Sequence, residues 1–289
     1  MLCAEGEAAA IPKEVREMRV GITGHKGFLG SHVQDAMAEA GHDVKGFDLP
    51  EHDILALPDG AFKGLDAVCH IAAIGDVYHA HRDPDLAVRV NVLGTQRVLQ
   101  QALDDGVARV VYCSTWEVDT NLDHPYNITK YGGDLMAQCY RRLYGLDTII
   151  LRLGTLYGPR MRETAVIPKF IKLAAEGKKI TIQGDGRQYR QFLHVRDAGR
   201  AFVAALTTAP VTGDTVFRVV GDETTTIRQI AELSAGEIEF LPARAGDAEA
   251  MMMDNSEAKA ALNWTPQIPF AEGFAELQAL LTPVPAGVA

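Results

Sequence analysis

Short apolar runs rich in β-branched residues alternate along the chain with longer segments in which apolar residues recur every three or four positions. The short runs predict strands at residues 19–23, 44–47, 67–71, 110–113 and 148–151. The longer segments predict helices near residues 28–40, 86–105 and 127–144. Because strands and helices alternate, and parallel strands need right-handed crossovers, the pattern predicts an α/β fold with a doubly wound parallel sheet.

The pattern changes after Gly158-Pro159, where shorter elements predict a smaller C-terminal lobe. These elements are a helix near 166–176, a glycine-rich turn at 184–186 and short strands near 215–220 and 237–241. We predict a first domain over residues 17–157 and a smaller lobe that takes most of residues 158–282. The segment 190–208 contains a helical pattern and is predicted to pack back on the first domain.

Composition excludes several classes of protein. The chain has 289 residues, and 38 acidic against 28 basic side chains give a formal net charge of −10, which argues against general binding to nucleic acid or anionic membranes. No stretch approaches the roughly 18 consecutive apolar residues of a membrane span, and Glu5 and Glu7 are atypical of a signal peptide. The four cysteines form no C-x-x-C pair, so we predict no metal site, no disulfide framework and a cytoplasmic location.

A glycine-rich segment links the first predicted strand to the first predicted helix. Gly24 permits a tight turn, Gly27 lets the backbone approach a pyrophosphate, and Gly30 allows the helix to lie close to the sheet. Phe28 and Leu29 begin this helix, whose free N–H groups and positive dipole end favour a phosphate. The segment therefore predicts dinucleotide binding; a turn in which the glycines serve geometry alone is the alternative.

An acidic residue, Asp48, stands at the end of the second predicted strand. A carboxylate there accepts both ribose hydroxyls of NAD and repels the additional phosphate of NADP. We therefore predict NAD as the cofactor and residues 17–157 as an NAD-binding Rossmann domain. Asp53 and Ile54 are predicted to meet the adenine. An aspartate that only caps a turn is the alternative for Asp48.

Tyr126 and Lys130 lie four residues apart at the start of a helical pattern and therefore share one helix face. A tyrosine with a pKa near ~10 is a poor base at neutral pH, but a neighbouring ammonium and an oxidised nicotinamide ring both favour its phenolate. The pair predicts proton transfer, with Thr115, at the end of the preceding strand, bonded to a substrate hydroxyl. Ordinary surface packing is the alternative reading of the pair.

Ordered motifs along the chain resemble those of the NAD-dependent epimerase/dehydratase family, a group of extended short-chain dehydrogenases/reductases. The motifs are Thr23-Gly24-x-x-Gly27-Phe28-Leu29-Gly30, His70-Ile71-Ala72-Ala73, Asp83-Pro84, Asn91-Val92-x-Gly94-Thr95, Val111-Tyr112-x-Ser114-Thr115, Pro125-Tyr126-x-x-Thr129-Lys130, Tyr157-Gly158-Pro159-Arg160 and Gly184-Asp185-Gly186-x-Gln188-x-Arg190. The resemblance covers nearly all of residues 18–281. It implies that Thr115, Tyr126 and Lys130 form a catalytic triad.

The resemblance also implies contacts for the cofactor and for a second subunit. Ala72, Asn91 and Ser114 are expected along the NAD site, together with Tyr126 and Lys130. The family is dimeric through helices matching 86–105 and 127–144, whose apolar faces suit a homodimer. Burial of these faces within one subunit is the alternative.

Other positions of the family pattern imply a nucleotide-sugar substrate. Arg190 and Arg244 match arginines that bind the diphosphate, and Asp247 matches the acid that meets the ribose; guanidinium groups suit this role because they bind phosphate bidentately. Thr155 stands where the family usually has an asparagine for the substrate phosphate. Glu117 matches an acid that assists later chemistry in dehydratases and decarboxylases.

Two departures from the family pattern bear on the reaction. Trp116 occupies the position of the dehydratases' general acid, and the long loop that usually precedes the tyrosine is missing before Tyr126. We therefore expect a UDP-hexose 4-epimerase that oxidises C4 transiently and returns the hydride. The alternatives are a sugar-nucleotide dehydratase, decarboxylase or reductase and, in another class, a catalytically silent NAD-binding regulator.

Overall fold

The computed structural model describes residues 16–120, 122–213, 215–242 and 252–282. Its helices are α1 Phe28–Glu39, α2 Val77–Arg82, α3 Pro84–Val88, α4 Thr95–Asp104, α5 Pro125–Tyr144, α6 Val166–Ala175, α7 Val195–Thr207, α8 Ile227–Leu233, α9 Ser256–Leu262 and α10 Phe270–Leu281. Its strands are β1 Arg19–Thr23, β2 Asp43–Phe47, β3 Ala67–His70, β4 Arg109–Thr115, β5 Asp147–Leu153, β6 Thr155–Tyr157, β7 Ile180–Gln183, β8 Tyr189–Arg190, β9 Phe192–His194, β10 Val216–Val219, β11 Thr225–Thr226 and β12 Ile238–Leu241. A π-helical turn, Arg89–Gly94, joins α3 to α4, and a 3-10 turn, Trp116–Asp119, follows β4.

The central sheet has six strands in the order β10-β5-β4-β3-β1-β2, and every pairing is parallel. The chain runs from β1 outward to β2 and then crosses to β3 on the other side of β1. This reversal confirms the predicted doubly wound parallel sheet. In such sheets a ligand binds at the carboxyl ends of the strands beside the point of reversal, here between β1 and β3.

The sheet separates two apolar cores, which is why its strands read as continuous apolar runs. On one face α1, α7 and α9 bury residues such as Met37, Phe202 and Leu262. On the other face α4 and α5 bury Leu99 and Tyr140 among others. The two faces therefore hold α1 and α5, the helices that start at the ligand-binding edge, in fixed positions.

The assignment of the strand near 215–220 to the smaller lobe was wrong. This strand is β10, which pairs in parallel with β5 at the edge of the central sheet. The reason is the path of α7, which packs so closely on α1 that a Cβ atom at Gly199 would lie 3.0 Å from the His32 carbonyl oxygen. A helix covering that face returns the chain to the sheet edge.

The smaller lobe has its own core between α6, α8, α10 and β7. Ile167, Ile171, Ile182 and Phe274 are buried there. Three short strand pairs, β6 with β9, β8 with β11 and β7 with β12, form separate two-stranded sheets. β6 begins two residues after β5 ends and therefore lies at the carboxyl end of that strand. None of the helices in the described ranges is long and apolar enough to span a membrane.

Candidate active site

The segment between β1 and α1 makes backbone contacts that only glycine allows. Gly24 has a φ of +75°, and a Cβ atom there would lie 2.8 Å from the backbone of Ala72. A Cβ atom at Gly30 would lie 2.0 Å from the Gly24 carbonyl oxygen, so α1 packs directly on the turn. Gly27 is the N-cap residue of α1 and makes no side-chain cap, which leaves the first N–H groups of the helix to an anion such as pyrophosphate.

Phe28 and Leu29 occupy the first positions of α1. Leu29 is buried in the core, and Phe28 lies edge-on to His32 with the ring centroids 5.7 Å apart. Both side chains thus serve packing. What these residues offer a phosphate is their backbone N–H groups.

Asp48, which follows β2, turns its carboxylate toward the glycine turn. Its oxygens accept hydrogen bonds from the backbone N–H groups of Lys26, at 2.8 Å, and Leu49, at 2.9 Å. The His25 ring nitrogen Nδ1 lies 4.0 Å from the same carboxylate. Each carboxylate oxygen has a further lone pair for a ribose hydroxyl. The glycine turn and Asp48 together fit the pyrophosphate and ribose of a dinucleotide.

The residues expected to meet the adenine also shape the adjoining turn. The Asp53 carboxylate accepts the Leu55 N–H at 2.8 Å, and Ile54 is buried. Ile54 fills the space in front of Gly94, where a Cβ atom would lie 2.7 Å from its Cδ1. Contact of Asp53 and Ile54 with an adenine stays a prediction.

Asn91, in the π-helical turn, joins the loop after β3 to α5. Its Oδ1 accepts the Ile74 N–H at 2.8 Å, and its Nδ2 donates to the Ile74 carbonyl at 3.2 Å and to Thr129 Oγ1 at 3.0 Å. The Ala72 N–H donates to the Thr23 carbonyl at 3.0 Å. Asn91 and Ala72 therefore fix the wall of the predicted cofactor cleft through internal bonds.

The three residues of the predicted triad come together where β4 meets α5. Thr115 ends β4 near the Tyr126 hydroxyl, whose pKa it lowers. Lys130 is buried, and its Nζ donates to the Cys113 carbonyl at 2.5 Å and lies 4.4 Å from the centroid of the Tyr112 ring. The Cys113 carbonyl and the Tyr112 ring therefore fix the position of the Lys130 ammonium.

Opposing effects set the acidity of Tyr126. Burial raises the pKa of its phenol above the ordinary value, while the Lys130 charge and the Thr115 hydrogen bond lower it. The protonated phenol is thus the resting form, and the two neighbours favour the phenolate when a proton leaves. This arrangement can move a proton to and from a hydroxyl placed beside Thr115.

Glu117, in the Trp116–Asp119 turn, lies between the large domain and the smaller lobe. Burial raises the pKa of its carboxyl, against the charge of Arg190 and a hydrogen bond from Asn127. Arg190, on β8, donates to the Tyr189 carbonyl at 2.8 Å. The structure therefore brings Arg190 into the electrostatic range of Glu117.

The remaining predicted site residues are Ser114, Thr155, Arg244 and Asp247. Ser114 is buried near the end of β4, next to Thr115. Thr155 begins β6, and its N–H donates to the Gln191 carbonyl at 3.3 Å. The Gln191 amide in turn donates to the carbonyls of Gly221 and Met253, both at 3.0 Å. These bonds fix Gln191, which holds the start of β6 through Thr155. Arg244 and Asp247 lie outside the described residues.

Sequence reasoning did not find Asn127 or His124 as parts of the site. Asn127 comes directly after Tyr126, and that adjacency is the signal that could have found it. His124 acts through its ring, which accepts the Tyr126 N–H at 3.2 Å and caps the N-terminus of α5. Histidine is not a usual N-cap residue, so no common pattern marks it.

Replacing His124 with alanine is expected to lower the free energy of unfolding by about 1 kcal/mol, because α5 loses its N-cap. His124→Asn, which restores a capping oxygen, should recover most of that loss. Denaturant unfolding of both variants measures this. Equal stability of the alanine and asparagine variants would show that the cap contributes nothing.

Within the part of the chain that the structure describes, no three His, Cys, Asp or Glu side chains are grouped to hold a metal ion.

The glycine turn, the acid after β2 and the tyrosine-lysine pair on α5 define a class of dinucleotide-dependent enzyme. The chain belongs to the NAD dependent epimerase/dehydratase family, which it matches over residues 20–218. The predicted family, enzyme class and NAD cofactor are thereby confirmed. Since this family consists of enzymes, the match counts against the silent regulator.

Individual relatives carry several activities. The chain is 30% identical to the UDP-glucose 4-epimerase of Mycolicibacterium smegmatis, over 90% of this chain and 97% of that protein. It is 29% identical to the dTDP-glucose 4,6-dehydratase of Streptomyces griseus, over 88% and 91%. The crystal structure of the Bacillus cereus UDP-glucuronic acid 4-epimerase with UDP-glucuronic acid and NAD superposes with a TM-score of 0.82 at 26% identity, covering 91% and 99%.

Proposed function

We propose that this enzyme is a nucleotide-sugar 4-epimerase with a UDP-hexose as substrate. The observation that carries the proposal is the assembly of Thr115, Tyr126 and Lys130 around one proton-transfer position, with Trp116 in place of a second acid next to Thr115. Epimerisation at C4 needs one group that takes the O4 proton and gives it back. Dehydration additionally needs an acid for the leaving hydroxyl.

Each residue of this assembly has a defined task in the proposed reaction. Thr115 holds the sugar O4, Tyr126 accepts its proton, and the Lys130 charge stabilises the phenolate that results. When bound, NAD supplies the acceptor and donor of the C4 hydride. After the 4-keto sugar has rotated to present its other face, Tyr126 returns the proton to O4. The product therefore has the same mass as the substrate.

The nucleotide assignment rests on the smaller lobe. The Arg190 charge, on β8 of the lobe, acts on Glu117 in the turn after β4, which suits a diphosphate crossing from the lobe to the triad. In this proposal Thr155, Arg244 and Asp247 complete the substrate site. Bacillus cereus UDP-glucuronic acid 4-epimerase was crystallised with a UDP-sugar, which supports the same class of substrate.

Incubating the protein and NAD with a panel of UDP-, dTDP- and GDP-sugars tests the proposal. Mass spectrometry and proton NMR should find an isomer of unchanged mass from a UDP-hexose. A product lighter by water or carbon dioxide would instead show the second candidate reaction.

That second candidate, a dehydratase or decarboxylase, is favoured by one observation. Glu117 is largely buried beside Tyr126 with its pKa raised, which suits an additional proton carrier. Glu117→Gln separates the two candidates. The epimerase proposal expects this variant to keep most of its turnover, whereas a dehydratase or decarboxylase that depends on Glu117 would lose it.

The same variant has a pH-dependent effect on stability. Because its pKa is higher in the folded than in the unfolded chain, Glu117 binds more protons when folded, and its contribution to stability falls as pH rises from the unfolded pKa through the folded pKa. Glu117→Gln should therefore raise the unfolding midpoint at neutral pH and show no gain below the unfolded pKa. Thermal unfolding across this range, with the exposed Glu232→Gln as control, measures the effect.

The proposal includes a homodimer formed through α5 and the helical segment from α3 to α4. Leu93, Ile128 and Leu135 are 42%, 52% and 45% exposed, which is unusual for large apolar side chains on neighbouring helices. Sedimentation should show a dimer that Leu135→Glu dissociates. A monomeric wild-type protein would contradict this part. The cytoplasmic location stays a prediction.

A further inference from the structure

The Trp116–Asp119 turn ends in an aspartate that pairs with two arginines. Asp119 Oδ1 accepts Arg152 Nη1 at 2.5 Å, and its Oδ2 accepts Arg218 Nε at 2.8 Å. The Asp119 side chain is only 14% exposed, so its charge is largely removed from water. Both of its oxygens are directed by bonds to strands of the central sheet, β5 and β10.

The pairing continues from the turn to the helix that carries the tyrosine. Arg152 also donates to Asp134 Oδ2, at 2.8 Å from both Nε and Nη2. Asp134 is fully buried on α5, four residues after Lys130. One guanidinium near the carboxyl end of β5 therefore holds both the turn and α5.

The geometry of this cluster, Asp119–Arg152–Asp134–Arg218, restricts movement of the Trp116–Asp119 turn relative to α5. A guanidinium is planar and binds carboxylates in fixed directions, so the two carboxylates on Arg152 cannot shift independently. Two acids and two arginines balance in charge, and an unpaired charge left in this surrounding is costly. Removal of Asp119 would leave Arg218 without this partner and Arg152 with Asp134 alone.

We propose that Asp119 is a positioning residue that sets the Trp116–Asp119 turn against α5 and thereby holds Thr115 and Glu117 in place beside Tyr126. This role compensates for the long loop that is missing between the turn and Tyr126. This inference depends on the proposed function only in the part of the test that measures turnover.

The test compares Asp119→Asn with Asp185→Asn. In the wild type the Asp185 carboxylate pairs with Arg187 on the surface. Trp116 lies in the same turn and is one of two tryptophans; the other, Trp264, is buried. Collisional quenching of Trp116 fluorescence, assigned with Trp116→Phe, reports the turn without any substrate. NAD binding by calorimetry reports the rest of the domain.

Asp119→Asn is expected to raise the quenching constant of Trp116 about twofold, because the turn loses its anchor. It should lower kcat about 10-fold with KM little changed, since misplaced groups affect the reacting geometry most. NAD affinity and the Asp185→Asn control should match the wild type. Arg218→Gln, which removes a partially exposed partner, is expected to cause a smaller change of the same kind and serves if Asp119→Asn does not fold.

Unchanged quenching in these variants would overturn the positioning role. A loss of NAD affinity parallel to the rise in quenching would also overturn it, because the whole domain would then have loosened. If the wild type turns over no sugar, the proposed function fails, while quenching and NAD affinity still decide the role of Asp119.

Discussion

Tyr126→Phe is expected to lower kcat for the sugar by about 10³-fold, because the phenylalanine ring has no hydroxyl to take the O4 proton. The ring itself is retained, so the fold and NAD affinity should be unchanged. Thr115 and Lys130 cannot replace the missing group, since Lys130 is fixed on the Cys113 carbonyl. Steady-state turnover and NAD titration of the purified variant give both quantities.

The matched control is Tyr144→Phe, which removes an exposed hydroxyl near the end of the same helix. It should behave as the wild type. Near-normal turnover in Tyr126→Phe would contradict the assignment of Tyr126 and would shift the proton transfer to another group of the cleft, with Glu117 the nearest acid.

The second large effect is expected at Gly30, where alanine should weaken NAD binding by about 10²-fold. The added Cβ would lie 2.0 Å from the Gly24 carbonyl oxygen, so the glycine turn has to move away from α1. Overpacking of this kind costs about 1–3 kcal/mol or more, and here the displaced atoms are those predicted to face the pyrophosphate.

Gly75→Ala is the control for Gly30→Ala, because nothing lies within 4 Å of a Cβ atom at Gly75. Calorimetric titration with NAD should separate the two variants, while circular dichroism checks that both are folded. Equal NAD affinity in Gly30→Ala and the wild type would show that the turn does not form the phosphate site.

The sequence was sufficient to predict the sheet and the glycine turn because both follow from local patterns. Buried parallel strands read as apolar runs, and the turn places its glycines at fixed intervals between a strand and a helix. Gly24, Gly27 and Gly30 then meet steric limits in the structure that local spacing already indicated. The pairing of Tyr126 with Lys130 follows equally from helical spacing.

The contacts that complete the site join distant parts of the chain and could not be predicted in this way. Asp119 is 33 residues from Arg152 and 99 residues from Arg218, and no periodicity relates them. The strand β10 was assigned to the wrong unit for a similar reason, since four residues carry too little pattern to identify their partner strand. Tertiary packing alone decides such pairings.

Residues expected on the cofactor illustrate a further difference. Asn91 was expected there from its motif, and the structure gives its amide internal partners at Ile74 and Thr129. A motif position thus indicates where a residue lies, whereas only the structure shows which atoms it bonds. For Asn91 that is the wall of the cleft.

In the proposed epimerisation Tyr126 moves only the O4 proton, and the hydride that leaves C4 for bound NAD returns to the same carbon. Turnover of a UDP-hexose in D₂O, followed by mass spectrometry and proton NMR, tests it most directly. We predict an isomeric product of unchanged mass with no deuterium bound to carbon. A product that has lost water or carbon dioxide, or that carries deuterium on a ring carbon, would contradict it.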